Sequence, residues 1–271
     1  MDESGAGSMK GQREEREALI GEVLALATAH EAATGEPLVH LNTVRGVSRF
    51  VEDALLIRDH LPAAASVADV GCGDGQMAYV LHRLGLKVVA ADIGPKAPLF
   101  VRSIPGNEDL GVVPYLTLKE GEWPAHLERK FDGVCLSGVL EHVPDFGEFV
   151  RQTRSLLEPN GMLFIFFFPN RLSWIEWVHD RRLGTATHHP IRFTPRELSL
   201  LLRWYGFKVK AVDYEEILPV NLTQLPTRLR EPLRQCQPLL AQASRVLRRT
   251  PGIQKISTSF RVVAVNAVNW H

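Results

Sequence analysis

Val67-Ala68-Asp69-Val70-Gly71-Cys72-Gly73-Asp74-Gly75-Gln76 is the stretch from which the fold is read. An apolar run of strand type, Val67–Val70, enters a turn holding three glycines and leaves it as a helix, Gln76–Leu84, closed by Gly85. Glycine permits positive φ and lets a ligand approach the backbone closely. The turn sits at a helix N-terminus, where free N–H groups and the dipole favour an anionic group. Outward from this turn, short apolar runs keep alternating with amphipathic ones. Lys87–Ala91 reads as a second strand, residues 111–117 as a third, and Phe131–Ser137 as a fourth, with a helix near Phe146–Leu157. Pro159-Asn160-Gly161 turns into Met162–Phe168, which is apolar on both faces, as suits a parallel strand covered by helices on both sides. Thr194-Pro195-Arg196-Glu197 opens a helix that runs to Tyr205 and closes at Gly206. Phe207–Val212 and Phe260–Val268 read as the last two strands. This alternation implies βαβ units and an α/β fold with an open, doubly wound, mostly parallel sheet.

Residues 13–31 and Val47–His60 read as helices ahead of the sheet. The chain thus divides into a small, polar stretch 1–12, expected to be disordered or tag-like, an N-terminal helical segment 13–62, and a domain 63–271 with a helical insert 216–258 before the last strand. With 271 residues, 45% of them hydrophobic, the chain is long enough for a sizeable core and is not mostly disordered. Its 31 Lys and Arg balance 31 Asp and Glu, which excludes a wholesale basic footprint for nucleic acid but not a local patch. The longest strongly apolar run, Met162–Phe168, falls far short of the ~20 residues of a membrane-spanning helix. The N-terminal residues lack the apolar core of a signal peptide. Cys72, Cys135 and Cys236 lie far apart and form no CxxC, so a reducing, cytoplasmic setting is the default.

Asp92 stands at the end of the second strand, 21 residues beyond Gly71. A carboxylate there can accept both hydroxyls of a ribose, a geometry shared by nucleotide-binding α/β folds in general. A dinucleotide fingerprint needs G-x-G-x-x-G/A. Here Gln76 takes the third glycine's place, and Asp69, two residues before the first glycine, would sit badly beside a pyrophosphate. An acid at that point suits a cofactor carrying an ammonium, which favours S-adenosylmethionine over a nicotinamide.

V-A-D-V-G-C-G-D-G resembles motif I of the class I S-adenosylmethionine-dependent methyltransferases. F-D-G-V-C-L-S-G-V-L-E-H-V-P-D, Phe131–Asp145, resembles the fourth strand and following loop of that family, and L-L-E-P-N-G-M-L-F-I, Leu156–Ile165, its fifth-strand entry. F-P-N, then F-T-P-R-E-L and W-Y-G-F-K-V, is similar to the branch containing the ubiquinone-biosynthesis O-methyltransferases. The resemblance covers residues 64–215 in unbroken order. It implies a seven-stranded sheet, S-adenosylmethionine as cofactor, S-adenosylhomocysteine as product, and a small or lipid-like acceptor, with a leaning towards O-methylation. It also implies roles: Gly71 and Gly73 against the methionine part, Asp69 facing the ammonium, Asp92 on the ribose, Ile93 against the adenine and Ser137 near the sulfonium. The acid that the family often places after the third strand has no counterpart in Y-L-T-L-K-E-G, Tyr115–Gly121, so the adenine amino group is left without an assigned partner.

Glu141 and His142 follow the fourth strand, beside the implied point of transfer. His142 is the candidate base for an acceptor hydroxyl; the plainer reading has the pair fixing the loop. Trp174, Trp177, His188 and His189 lie in the loop leaving the fifth strand, where open α/β sheets bind ligands. They are candidates to line an acceptor pocket, though the tryptophans equally suit anchoring a short helix. The RNA 3′-end 2′-O-methyltransferases are similar here and carry E-x-x-E-H plus a distant His. Gly138 stands where their first Glu would be, so no metal is expected. Residues 226–250 hold six Arg and one Glu, with apolar residues every three or four positions. That stripe reads as a lid over the acceptor, as a peripheral contact with an anionic membrane, or as a helix packed on the domain. Two alternatives stand beside a small-molecule methyltransferase. An RNA methyltransferase would use the basic insert, but no N/D-P-P-Y motif is present. A non-catalytic S-adenosylmethionine-binding subunit is opposed by the intact Asp69, glycines and Asp92. The sequence fixes no oligomeric state.

Overall fold

The computed structural model describes residues 3–267 apart from 37, 39–40, 42, 95–98, 104–113, 119–126, 128, 183–188 and 219–235. Seven strands make one sheet: β1 (Ser66–Val70), β2 (Lys87–Asp92), β3 (Tyr115–Thr117), β4 (Phe131–Ser137), β5 (Leu157–Pro169), β6 (Phe207–Tyr214) and β7 (Ser259–Asn266). Their order is β3-β2-β1-β4-β5-β7-β6. β1 to β5 pair in parallel, and β7 runs antiparallel between β5 and β6.

Strand residues alternate between two cores, which is why these segments are apolar on both faces. Val67, Cys135, Phe164 and Phe166 pack in one core with helices α1 (Glu3–Thr34), α2 (Val44–His60) and α3 (Gln76–Arg83). Ala68, Val134, Leu163 and Ile165 pack in the other with α5 (Phe146–Ser155) and α7 (Pro195–Trp204). A four-residue α4 (Leu99–Arg102) and α6 (Trp174–Arg182) complete the first part of the helical shell. The N-terminal helices are tied to the far end of the chain: Arg261 Nη1 of β7 donates to the buried Asp53 Oδ1 of α2 at 3.1 Å.

The opening of α7 follows its sequence signal. Thr194 Oγ1 accepts from Glu197 N at 3.2 Å, Glu197 Oε2 accepts from Thr194 N at 2.8 Å, and Pro195 opens the helix. Such caps contribute about 1 kcal/mol. Other boundaries move. α1 is drawn from Glu3, so most of the polar 1–12 stretch, expected to lack order, continues the helix. α2 starts at Val44 because Thr43 Oγ1 accepts from Gly46 N at 3.1 Å, a polar cap that a search for apolar spacing passes over. β5 starts at Leu157, which pairs with Phe131, and the register shifts before Gly133 meets Met162. Asn160, at φ +65°, sits in that irregular stretch. In the insert, residues 219–235 lie outside the described residues, and the chain returns as α8 (Gln237–Arg249) and a 3-10 turn, Ile253–Ile256. No helix among the described residues is long and apolar enough to cross a membrane.

Candidate active site

The C-terminal ends of β1, β2, β4 and β5 open on a cavity of about 620 Å³. Its floor is the glycine turn. Gly71 N and Cys72 N donate to Ala91 O at 2.7 and 3.1 Å, so the turn is tied to the end of β2. Asp92 completes the tie: Oδ2 accepts from Gly73 N at 2.8 Å and Oδ1 from Ile93 N at 2.7 Å. Each oxygen keeps acceptor capacity, since a carboxylate offers about four lone-pair sites. The three glycines have φ of +73°, +53° and +83° at 71, 73 and 75. At Gly71 an added Cβ would run into Val139 Cγ2, whereas at Gly73 nothing lies within 4 Å. Gly71 is therefore held by its neighbours, and Gly73 lines open space. α3 follows with no side-chain cap on its first turn.

Several buried polar atoms on this cavity have no hydrogen-bond partner among the described residues: both oxygens of Asp69, Gln76 Oε1, Ser137 Oγ and Glu141 Oε2. Buried polar groups are normally satisfied, so this concentration marks a place where a ligand supplies the partners. Asp69 is 1% exposed. Burial pushes its carboxyl up to about 7, the Asp92 carboxylate adds to this, and the nearby Ala78 amide opposes it without reaching hydrogen-bond geometry. The donor set fits S-adenosylmethionine: an acid for an ammonium, a carboxylate for a ribose, and a glycine backbone with room beside it.

Asp69 holds more protons folded than unfolded between its ordinary value of about 4 and about 7, so the stability of the ligand-free protein falls as pH rises across that window. An ammonium partner needs the ionised form. Calorimetry should therefore show S-adenosylhomocysteine binding tighten from about pH 6 to about pH 8, with proton release in the lower part of that range. Asp69→Asn should flatten the profile. A profile equally steep in the variant would remove Asp69 from the ammonium.

On the cavity's other side, Glu141 is 3% exposed, and burial pushes its carboxyl up to about 7. His142 is exposed, with Nε2 at 4.0 Å from Glu141 Oε1 and its ring 5.4 Å from that of His189. His189 is brought in from beyond α6 by the chain at Ile191, whose N–H donates to Glu141 O at 3.4 Å. The ligand atoms of Glu141, His142 and His189 all lie within 4.8 Å of one another, close enough to share one ion. A Cβ at Gly138 would begin 3.7 Å from Glu141 Oε1, so the glycine omits a fourth donor where one would reach this trio.

The expected site residues thus separate. Asp69, Gly71, Gly73, Asp92, Ile93, Ser137, His142 and His189 line one cavity. Trp174 and Trp177 do not. Trp174 Nε1 donates to Ile217 O at 2.7 Å and anchors α6 to the segment after β6. Trp177 is 57% exposed, with the Arg181 guanidinium 5.1 Å over its ring. His188 lies outside the described residues. Of the insert 216–258, expected as lid, membrane contact or packing, Thr258 lines the cavity and no described residue of α8 does, while residues 219–235 lie outside the described residues. Sequence reading missed Arg49 and Phe50 of α2, Gln76, and Phe167. Their signal is tertiary, because α2 reads as scaffold until its face is seen against β5.

A family model described as a methyltransferase domain matches residues 40–212. Among curated relatives, the ubiquinone biosynthesis O-methyltransferase of Xanthomonas axonopodis pv. citri (strain 306) is 34% identical over 160 residues, covering 56% of this chain and 66% of that protein. The same-named protein of Xanthomonas euvesicatoria pv. vesicatoria (strain 85-10) is 33% identical over 186 residues, 66% of this chain and 74% of that protein. Among solved structures, Burkholderia thailandensis 1,6-didemethyltoxoflavin-N1-methyltransferase, with 1,6-didemethyltoxoflavin and S-adenosylhomocysteine bound, superposes with TM-score 0.51 at 21% identity over 81% of this chain and 78% of that one. The [4+2]-cyclase SpnF does so with TM-score 0.52 at 17% identity over 85% and 84%. These two show the fold alone, and they show that it carries more than one chemistry. With the family model spanning residues 40–212 and the glycine turn and Asp92 in place within it, the chain belongs to the methyltransferase-domain family and is a class I S-adenosylmethionine-dependent methyltransferase.

Proposed function

We propose that the protein transfers the methyl group to an oxygen of a small, largely apolar acceptor. The observation that carries this reading is the single cavity that joins Asp69, the glycine turn and Asp92 to the wall formed by Glu141, His142 and His189. Bound S-adenosylmethionine supplies a methyl on a positively charged sulfur, already a strong electrophile. The chain's own task is then to hold, align and dehydrate. Asp92 takes the ribose hydroxyls with the lone pairs it does not spend on Gly73 and Ile93. Asp69, ionised, takes the ammonium, and Ile93 covers the adenine. Gly71 and Gly73 would let the backbone approach the methionine part, and Ser137 Oγ, buried without a partner, would serve the sulfonium end. Phe50, Val143, Pro144 and Phe167 give the acceptor an apolar wall that excludes water. His142 receives the proton of the acceptor hydroxyl, flanked by Glu141 and His189. Holding nucleophile and methyl carbon in line is the larger share of such catalysis. The relatives' printed names support oxygen as the nucleophile and a lipid-like acceptor. A peripheral membrane role for 226–250 is consistent with that, since α8 turns exposed Leu239 and Val246 outward beside exposed Arg245, Arg248 and Arg249.

Asp92→Ala tests the site. It should weaken S-adenosylhomocysteine by about 1–3 kcal/mol in titration calorimetry, because ribose hydroxyls lose a charged acceptor and the Gly73 amide loses its anchor. Unchanged affinity would sink the ribose assignment. In parallel, wild-type protein with S-adenosylmethionine and a panel of phenols and amines should release S-adenosylhomocysteine with phenols only. Turnover confined to amines would overturn the oxygen reading.

A further inference from the structure

His189 reaches the cavity on a short arm, His189-Pro190-Ile191-Arg192-Phe193, that lies outside the seven strands. Pro190 has a fixed φ and confines the residue before it to extended backbone, so the position of His189 follows that of the residues after it. Phe193 is fastened: it forms a parallel bridge with Asn170, and Arg171 N donates to Phe193 O at 3.1 Å. Ile191 is held less firmly, since its N–H reaches Glu141 O at 3.4 Å, longer than most such bonds. Between the two, Arg192 turns its side chain to α6. Nη1 donates to Glu176 Oε2 at 3.3 Å and Nη2 to Asp180 Oδ2 at 3.1 Å, two acids one helical turn apart.

α6 is a fixed platform for that grip. Asn170, just ahead of it, is wholly buried; its Nδ2 donates to Lys255 O at 2.9 Å and to Ser257 O at 3.0 Å. Ser173 N donates to Asn170 O at 2.9 Å, Ser173 Oγ accepts from Glu176 N at 3.3 Å, and Trp174 ties the first residue of the helix to Ile217 O. The start of α6 is thus stapled to both ends of the insert, and Arg192 fastens the arm to it. What the arm delivers is the His189 ring, 5.4 Å from that of His142. A partly exposed ion pair adds little to stability, so the grip matters for placement more than for folding. A guanidinium can hold two acids in fixed directions at once, whereas a lysine ammonium is a point charge on a flexible stem. Glu176 also lines the cavity, and Arg192 balances its charge there.

We propose that Arg192 is a positioning residue for methyl transfer: by bridging Glu176 and Asp180 of α6 it holds the arm that sets His189 against His142. This rests on the methyl-transfer reading of the cavity. The first test needs no acceptor. In the full chain saturated with S-adenosylhomocysteine, the His142 ring is followed by proton–carbon NMR and identified by its loss in His142→Gln. His189→Gln should move the His142 signal in the otherwise wild-type protein, and by less than half as much once Arg192→Ala has released the arm. The second test uses S-adenosylmethionine and the phenol of the panel above that the wild type methylates fastest. Arg192→Ala should lower kcat about tenfold, the scale of a misplaced group, and leave S-adenosylhomocysteine affinity within about twofold and acceptor KM within about threefold. Arg192→Lys, which keeps one of the two pairings, should recover about threefold of the loss. With His189→Gln already present, Arg192→Ala should cost less than about twofold more, because the two changes remove one interaction. Asp180→Asn loosens the grip at a residue that does not line the cavity, and should repeat the pattern at about threefold. A wild-type kcat in Arg192→Ala, losses that multiply in the double variant, or an undiminished response of the His142 signal overturns the proposal. If Arg192→Ala does not fold, Asp180→Asn decides by the same readouts. A wild type that methylates no phenol refutes the oxygen reading instead, and the NMR comparison still judges Arg192.

Discussion

Gly71→Ala is expected to destabilise the protein by about 2–5 kcal/mol and to abolish measurable S-adenosylhomocysteine binding, combining left-handed strain of about 1–2 kcal/mol with overpacking of about 1–3 kcal/mol. The residue has φ +73°, and its new methyl group would meet the side chain of buried Val139, in the loop after β4. Either the turn retreats from β4 or Val139 does, and both movements deform the cavity floor. Such a loss is a large share of the 5–15 kcal/mol that holds most domains folded. Gly73→Ala separates the two effects. It has φ +53° but no atom within 4 Å of the added carbon, so it should bring the strain without the clash and fill space that faces the cavity. Differential scanning calorimetry should rank Gly71→Ala well below Gly73→Ala, while titration shows both weakened for ligand. A Gly71→Ala protein with wild-type melting temperature and affinity would refute the packing argument.

His142→Ala is expected to lower turnover by about 10²-fold while S-adenosylhomocysteine affinity stays within about threefold, the loss typical of a removed general base. The ring is exposed and lines the cavity beside buried Glu141 and beside His189. His142→Gln retains size and polarity but cannot take a proton, so it should be nearly as slow. If both variants turn over at close to the wild-type rate, the residue holds the loop and nothing more. A wild-type rate abolished by a chelator and restored by zinc would instead make the trio of Glu141, His142 and His189 an ion site, because three donors within 4.8 Å serve either purpose.

The part of the cavity made by neighbours in sequence is legible from the sequence alone. The strand, turn, helix and second strand from Ser66 to Asp92 are contiguous, and the hydrogen bonds that tie them join Gly71, Cys72 and Gly73 to Ala91 and Asp92. Local chemistry determines that geometry, so a reading by spacing finds it. The opposite part of the cavity is assembled from α2, the end of β5, the loop after α6 and the start of β7, and no local rule announces which of their residues face inward. Trp174 illustrates the failure. An aromatic residue after the fifth strand can turn to the pocket or to the core, and the carbonyl of Ile217, 43 residues on, decides for the core. Arg49 illustrates the converse. Apolar spacing gives its helix but not its setting, and the structure puts its guanidinium carbon 3.4 Å from the ring centroid of the left-handed Phe167.

The place of β7 bears on how the enzyme comes into being. On the ribosome this strand is made after the other six, yet it is inserted between β5 and β6. Until it emerges, β5 lacks its partner along Met162–Ile165 and Phe168–Pro169, an unpaired edge of the kind that invites mispairing. Its arrival also permits the Arg261–Asp53 contact across 208 residues, among the least local in the fold. Two sides of the cavity therefore depend on segments made at different times. The glycine turn can close as soon as β2 is out, whereas Thr258 and Ser259 join the cavity only with the final strand. A chain released before this strand would lack the Thr258–Ser259 side of the cavity.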